Sequence, residues 1–329
     1  MRMKYAAEPE KFMESEAELH QEIVGLYSLA ASPELYPLMV ELNCVASVLG
    51  MVAHENTDIS LAAVGLLQEM TDPEVLETEP SAEVLIKAII KEQGLELLVQ
   101  NISRLDESNE EDAQGVYNTL SIIENLVEIK PEIAVSVCEK THLMKYLLNR
   151  LTVPSFDANK FYCAEILSIL LQTDTLNQRR LCSIPDFDGM DALLKVIYQC
   201  RKTDPSSVEE GEFIQDLFLC ICTALLVPEN QNRFRVSEGL ELMVKCLKER
   251  KLAAICAIKV INFAISGNKE NCERFVDSGG LKYIFPLLMN RNMPKLQNKK
   301  EKSSGIVYLI VPHFIFLTFE YSNTQKKNQ

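Results

Sequence analysis

Asn118, Ser121, Asn125 and Glu128 stand at i, i+3, i+7 and i+10 of one amphipathic segment, a spacing that sets four polar side chains along one helical face. Asn159, Tyr162, Glu165 and Gln172 repeat the arrangement further along, and Asp216 and Asn262 take similar places in two later segments. The chemistry on offer is recognition. Carboxamides can clamp the main chain of an extended peptide while Glu and Asp beside them select Lys or Arg through charge-assisted hydrogen bonds. These stripes are the candidate partner-binding residues, although every amphipathic helix has a solvated face.

Catalysis has little to stand on. The four histidines (His20, His54, His142 and His313) lie in different segments, and no phosphate-binding glycine loop, zinc-binding H-E-x-x-H or G-x-S-x-G elbow occurs. An enzymatic reading would need His54, His142 and a cysteine to converge from separate segments. The ten cysteines show no framework spacing and fall mostly inside apolar runs, as small buried hydrophobes of a reducing compartment do. Cys220-Ile221-Cys222 is the tightest pair, yet on a helix its two thiols point to different sides. No catalytic, metal or cofactor-binding residue is assigned, and no cofactor is expected.

The formal net charge is −14, and only two of the 47 acidic residues but seven of the 33 basic ones fall after residue 290. An acidic body repels phosphate backbones, which argues against direct nucleic-acid binding and for basic protein partners. No membrane span is expected either: the longest apolar run, residues 306–319, is too short and holds Pro312 and His313. The opening residues are charged and lack the apolar core of a secretory signal.

Elements that would position the stripes announce themselves by a returning phrase. Gly94-Leu95-Glu96-Leu97-Leu98, Gly189-Met190-Asp191-Ala192-Leu193-Leu194, Gly239-Leu240-Glu241-Leu242-Met243 and Gly280-Leu281-Lys282-Tyr283-Ile284 are its clearest copies, with His142-Leu143-Met144 and Asn43-Cys44-Val45 as weaker ones. Successive copies lie 51, 48, 47, 50 and 41 residues apart, near the roughly 40–47-residue period of armadillo and HEAT repeats. Long amphipathic helices follow the phrases, predicted over 58–70, 113–128, 158–172, 209–226 and 252–265. Ser207 and Glu210 read as a capping box, and Thr57 or Asn56 as an N-cap. A third motif precedes three of the phrases: Asn177-Gln178-Arg179-Arg180-Leu181, Asn230-Gln231-Asn232-Arg233-Phe234 and Asn271-Cys272-Glu273-Arg274-Phe275. The order is short helix, Gly turn, second helix, loop and long third helix, with the glycine expected to supply a positive φ at the turn.

The expected fold is thus all-α, an armadillo/HEAT-like right-handed helical solenoid. Residues 1–34 read as an acidic helical segment with one helix over 9–30, another helix spans 35–44, and residues 35–290 form five to six repeats. Residues 291–329, a basic linker and an apolar stretch without helical period, fall outside the solenoid. Self-association would be compatible with such an array. The stretches Pro9-Glu10-Lys11-Phe12-Met13-Glu14, Leu38-Met39-Val40-Glu41-Leu42-Asn43, Arg104-Leu105-Asp106-Glu107-Ser108 and Phe156-Asp157-Ala158-Asn159-Lys160 resemble the beta-catenin-like protein 1 family, in order from about residue 9 to 290. That resemblance implies a nuclear, non-enzymatic scaffold of the spliceosome-associated Prp19 and cell division cycle 5-like complex. It implies partners with basic, nuclear-localisation-like segments. Members carry a longer N-terminal region with a basic import signal, and this chain begins almost at the acidic segment, which leaves a cytoplasmic location open. The alternative reading is a cytoplasmic armadillo/HEAT adaptor or importin-like carrier; importin grooves repeat a Trp-Asn pair, and this chain has no Trp.

Overall fold

The computed structural model describes residues 12–76 and 82–288, and among them there are helices and no strand. The expected tail at 291–329 lies outside the described residues. The chain divides into two compact units, residues 1–143 and 144–329.

Unit 1 opens with α1 (Met13–Gly25) and the short α2 (Tyr27–Ala30), followed by a 3-10 turn at Pro33–Leu35. Then come α3 (Tyr36–Glu41), α4 (Cys44–Val52), α5 (Thr57–Met70), α6 (Pro73–Leu76), α7 (Ala82–Lys91), α8 (Gly94–Ile102), α9 (Glu110–Ile129) and α10 (Glu132–Lys140). Within it α3, α4, α5 and α7, α8, α9 are successive three-helix repeats, and the third helices stack in series, α1 on α5 and α5 on α9. The acidic opening segment set apart in the sequence therefore packs as a third helix does.

Unit 2 holds most of α11 (Leu143–Thr152), then α12 (Ala158–Thr173), α13 (Thr175–Leu181), α14 (Gly189–Cys200) and α15 (Val208–Ala224). It continues with α16 (Pro228–Val236), α17 (Gly239–Glu249), α18 (Leu252–Ile265), α19 (Lys269–Asp277) and α20 (Gly280–Leu288). Again the third helices stack, α12 on α15 and α15 on α18. The predicted three-helix order holds in the α13–α15 and α16–α18 repeats; α19 and α20 supply the first two helices of a further one, whose continuation lies outside the described residues.

The phrase glycines act differently from expectation. Before three of the four phrase glycines the preceding residue is left-handed, Gln93 (φ 57°), Glu238 (φ 58°) or Gly279 (φ 76°), with Asn43 (φ 59°) in the equivalent place before Cys44; before Gly189, Asp188 is extended (φ −100°) and caps the helix. The glycine itself is needed for its missing Cβ. A methyl on Gly239 would sit 2.4 Å from the Phe234 ring and one on Gly280 2.3 Å from the Phe275 ring. Phe234 and Phe275 are fully buried there, each worth about 1.5–3 kcal/mol of apolar burial.

The third motif is an inter-repeat tie. Asn177 Nδ2 donates to the Leu170 carbonyl at 3.0 Å. Asn230 Nδ2 donates to Ala224 O (2.9 Å) and to Gln178 O (2.8 Å), on the third and first helices of the repeat before. Asn271 repeats this with Ala264 O (2.7 Å) and Gln231 O (3.1 Å). Buried amides and main-chain carbonyls must find partners, and here they find them across the seam between repeats.

Helix starts follow side-chain capping. Asn56 rather than Thr57 caps α5, accepting from Asp58 N at 3.0 Å. Asn109 caps α9 through Glu111 N, so this helix begins at Glu110, a turn before its predicted start, and Glu110, Glu111 and Asp112 form its first turn. The capping box at α15 is split: Ser207 Oγ accepts from Glu210 N, but Glu210 Oε2 accepts from Ser206 N and Oγ. The helix predicted over 9–30 breaks at Leu26, and that over 35–44 ends at Glu41 because Asn43 is left-handed.

Candidate interaction surface

A depression of about 720 Å³ lies over the stacked third helices of unit 1. Its floor is apolar, with Ala17 from α1 and Leu61 and Ala62 from α5; its polar wall is Glu16, His20, Asp58, Glu111, Gln114 and Asn118. No Lys or Arg lines it among the described residues.

Two glycines let the helices come close enough to form this surface. A Cβ at Gly115 of α9 would meet Leu61 Cδ2 of α5 at 2.1 Å, and one at Gly65 would meet the Tyr27 hydroxyl at 2.2 Å. That hydroxyl donates to Ala62 O at 3.1 Å, and burial, with Glu69 adding, holds its pKa above the ordinary value. Asn56 organises the carboxylates. While its Oδ1 caps α5, its Nδ2 donates to Glu16 Oε2 at 2.9 Å, and its own N–H donates to His54 Nδ1 at 3.0 Å. Gln114 Nε2 donates to Asn118 Oδ1 at 2.8 Å. The result is an array of acceptors over an apolar strip, suited to a cationic side chain with an aliphatic stem.

Of the stripe predicted on α9, Asn118 borders the depression, Ser121 is half-buried, Glu128 is exposed, and Asn125 is buried at 6% exposure. The four are therefore not one continuous solvated face. On α12, Asn159 and Tyr162 are buried at 6% and 7%, and Glu165 is half-buried. Gln172 is exposed and donates to Ser168 O and Oγ. Asp216 on α15 and Asn262 on α18 are half-buried; burial pushes the Asp216 carboxyl up to about 6, with Glu212 adding to the rise. The sequence reading missed Glu16, Asp58 and Glu111. For Glu16 the signal was the i, i+3, i+4, i+7 run Met13, Glu16, Ala17, His20 on α1, legible once α1 counts as a third helix; Asp58 and Glu111 sit in the first turns of α5 and α9.

His54 is held by Asn56, and the His142 Nε2 lies 2.8 Å from Ser103 Oγ at the surface. Cys138, Cys163, Cys220, Cys222, Cys246 and Cys256 are buried, and burial pushes the Cys222 and Cys246 thiols up to about 12. Among the described residues no group of three or more His, Cys, Asp or Glu is placed to hold a metal ion, and no single helix is long and apolar enough to cross a membrane.

Comparison with known proteins adds a family. A model described as catenin-beta-like, Arm-motif containing nuclear matches residues 1–326. Beta-catenin-like protein 1 of Homo sapiens is 45% identical over 293 residues, covering 88% of this chain and 51% of the relative. The beta-catenin-like protein 1 homolog of Schizosaccharomyces pombe is 36% identical over 294 residues, again covering 88% of this chain and 51% of the relative. The chain spans about half the length of the curated relatives it matches. A crystal structure of an engineered protein matches with a TM-score of 0.54 at 17% identity, over 81% of this chain and 92% of the other, a likeness of fold alone.

Proposed function

This chain belongs to the catenin-beta-like, Arm-motif containing nuclear family, and from that premise we propose that it is a non-enzymatic protein-interaction scaffold of the nucleus. Its depression over α1, α5 and α9 takes basic, nuclear-localisation-like segments of splicing factors, those of the Prp19 and cell division cycle 5-like complex. The observation that carries this reading is the lining itself: Glu16, Asp58 and Glu111 around an apolar floor, with no described Lys or Arg among them. A Lys or Arg stem lies along Leu61 and Ala17 while its head meets the carboxylates, and Gln114 and Asn118 receive the peptide main chain.

Two measurements test it. A fluorescent peptide with five Lys or Arg residues should bind the full chain, and Glu16→Gln with Glu111→Gln should weaken it about tenfold and flatten its salt dependence. Glu128→Lys and Glu165→Lys, taken separately, report whether the stripes on α9 and α12 contribute. Affinity capture from nuclear extract should recover splicing factors. Unchanged peptide affinity and salt slope in the double variant would overturn the assignment of the depression; capture of cytoplasmic transport factors instead would favour the adaptor reading.

A further inference from the structure

Unit 2 carries a basic and aromatic patch on its second helices, in a chain whose formal net charge is −14. Tyr198 of α14 is 50% exposed. The Arg201 guanidinium stands 3.8 Å from its ring centroid, and Lys245 of α17 reaches over the same ring at 6.0 Å. Lys248 follows Lys245 at i+3 on one face of α17, and Lys202 lies in the turn that follows α14, next to Arg201. All three lysines and Arg250, at the end of α17, are exposed.

The carboxylates nearby are mostly engaged. Asp191 pairs with Lys195 at 2.7 Å, Glu249 with Arg201 at 3.8 Å, and Glu241 with Arg274. Asp277 remains, sharing with Lys245 and Arg274 a hollow of about 370 Å³. Lys202, Lys245, Lys248 and Arg250 make no ion pair among the described residues. The juxtaposition of lysine and ring also recurs along the second helices, with Lys145 of α11 over Phe187 at 5.9 Å and Lys282 of α20 over Tyr283 at 5.7 Å.

We propose that the α14–α17 patch docks a short acidic segment of a partner protein, its carboxylates held between Lys202, Lys245 and Lys248 with the Tyr198 hydroxyl donating a hydrogen bond. Charge complementarity selects the occupant: four exposed cations that make no ion pair among the described residues form an island in an acidic chain. An acidic peptide fits better than single-stranded nucleic acid, which binds by stacking bases on open aromatic faces. Two cations already stand over the Tyr198 ring, and a base would have to displace one. The island is two helices wide, about 10 Å between axes, enough for a few carboxylates; a longer phosphate polymer would run onto acidic surface. This site is separate from the depression in unit 1 and opposite to it in charge preference.

Fluorescence anisotropy of labelled decaglutamate with the full chain tests the proposal. Lys245→Glu with Lys248→Glu should weaken binding about tenfold or more and reduce its salt dependence, while the same charge change at Lys91 and Lys140 should alter it by about twofold or less. Tyr198→Phe should weaken binding about threefold and leave the salt slope unchanged. Lys245→Gln with Lys248→Gln gives an intermediate loss and covers the case in which charge reversal unfolds unit 2, which circular dichroism melting reports. In the patch variants the basic peptide that reports on unit 1 should bind as before. The proposal is overturned if decaglutamate does not bind, if the Lys91 and Lys140 changes weaken it equally, or if a ten-residue oligouridine binds more tightly and is lost with the same substitutions.

Discussion

Asn230 and Asp216 show two fates of a polar side chain inside a helical stack. Asn230 is 2% exposed and donates to two main-chain carbonyls of the repeat before it. Removing it strands both acceptors, so Asn230→Ala should cost about 2 kcal/mol of stability, measured by urea denaturation; a loss under about 0.5 kcal/mol would mean the tie is dispensable. Asp216 is half-buried beside Glu212, and its carboxyl ionises near pH 6 in the fold against 3.8 ordinarily. Between those values the native state keeps a proton that the unfolded chain has lost, so this group's contribution to stability falls as pH rises from about 4 to about 6 and is level above that. Asp216→Asn should therefore raise the Tm at pH 7.5 and leave it unchanged below pH 4. Neither fate was legible in the sequence, because spacing places a polar residue on a face without saying what covers that face. Asn125 and Asn159 went astray for that reason: both sit at proper helical intervals, yet each is 6% exposed.

At the scale of elements, α18 (Leu252–Ile265) has the bounds its apolar periodicity predicts, because its neighbours agree with its own pattern. The helix predicted over 113–128 begins at Glu110 because Asn109 caps it and the carboxylates of Glu110, Glu111 and Asp112 stabilise its first turn, whereas apolar periodicity registers only further in. The phrase glycines were found correctly and explained wrongly: a sequence shows that a residue is small, but not which ring presses on it. The structure couples Phe234 to Gly239 and Phe275 to Gly280. Gly239→Ala should thus destabilise by about 1–3 kcal/mol through overpacking. The Phe234→Leu, Gly239→Ala double variant should lose less than the sum of the single losses. Additive losses in the cycle would show that the glycine serves something other than the ring.

For the molecule as a whole, the three-helix repeat and its order were legible because one phrase recurs, while the division after Leu143 was not, since no composition shift marks it. Thiol chemistry gives a whole-chain check. Eight of the ten cysteines are either buried or, like Cys182 and Cys200, held by burial at a pKa of about 12 and 11. Iodoacetamide at pH 8 should therefore label Cys44 and Cys272 first, and the other eight only in denaturant; early labelling of Cys246 in a mass map would contradict the packing. The amide tie has a reach beyond stability. Each Asn addresses a main-chain carbonyl in the repeat before it, an acceptor that every residue type possesses. The joint between repeats is therefore indifferent to which residue sits opposite. A tandem duplication of residues 228–265 would carry both halves of that joint with it, so the number of repeats can change during descent without compensating substitutions at the seam.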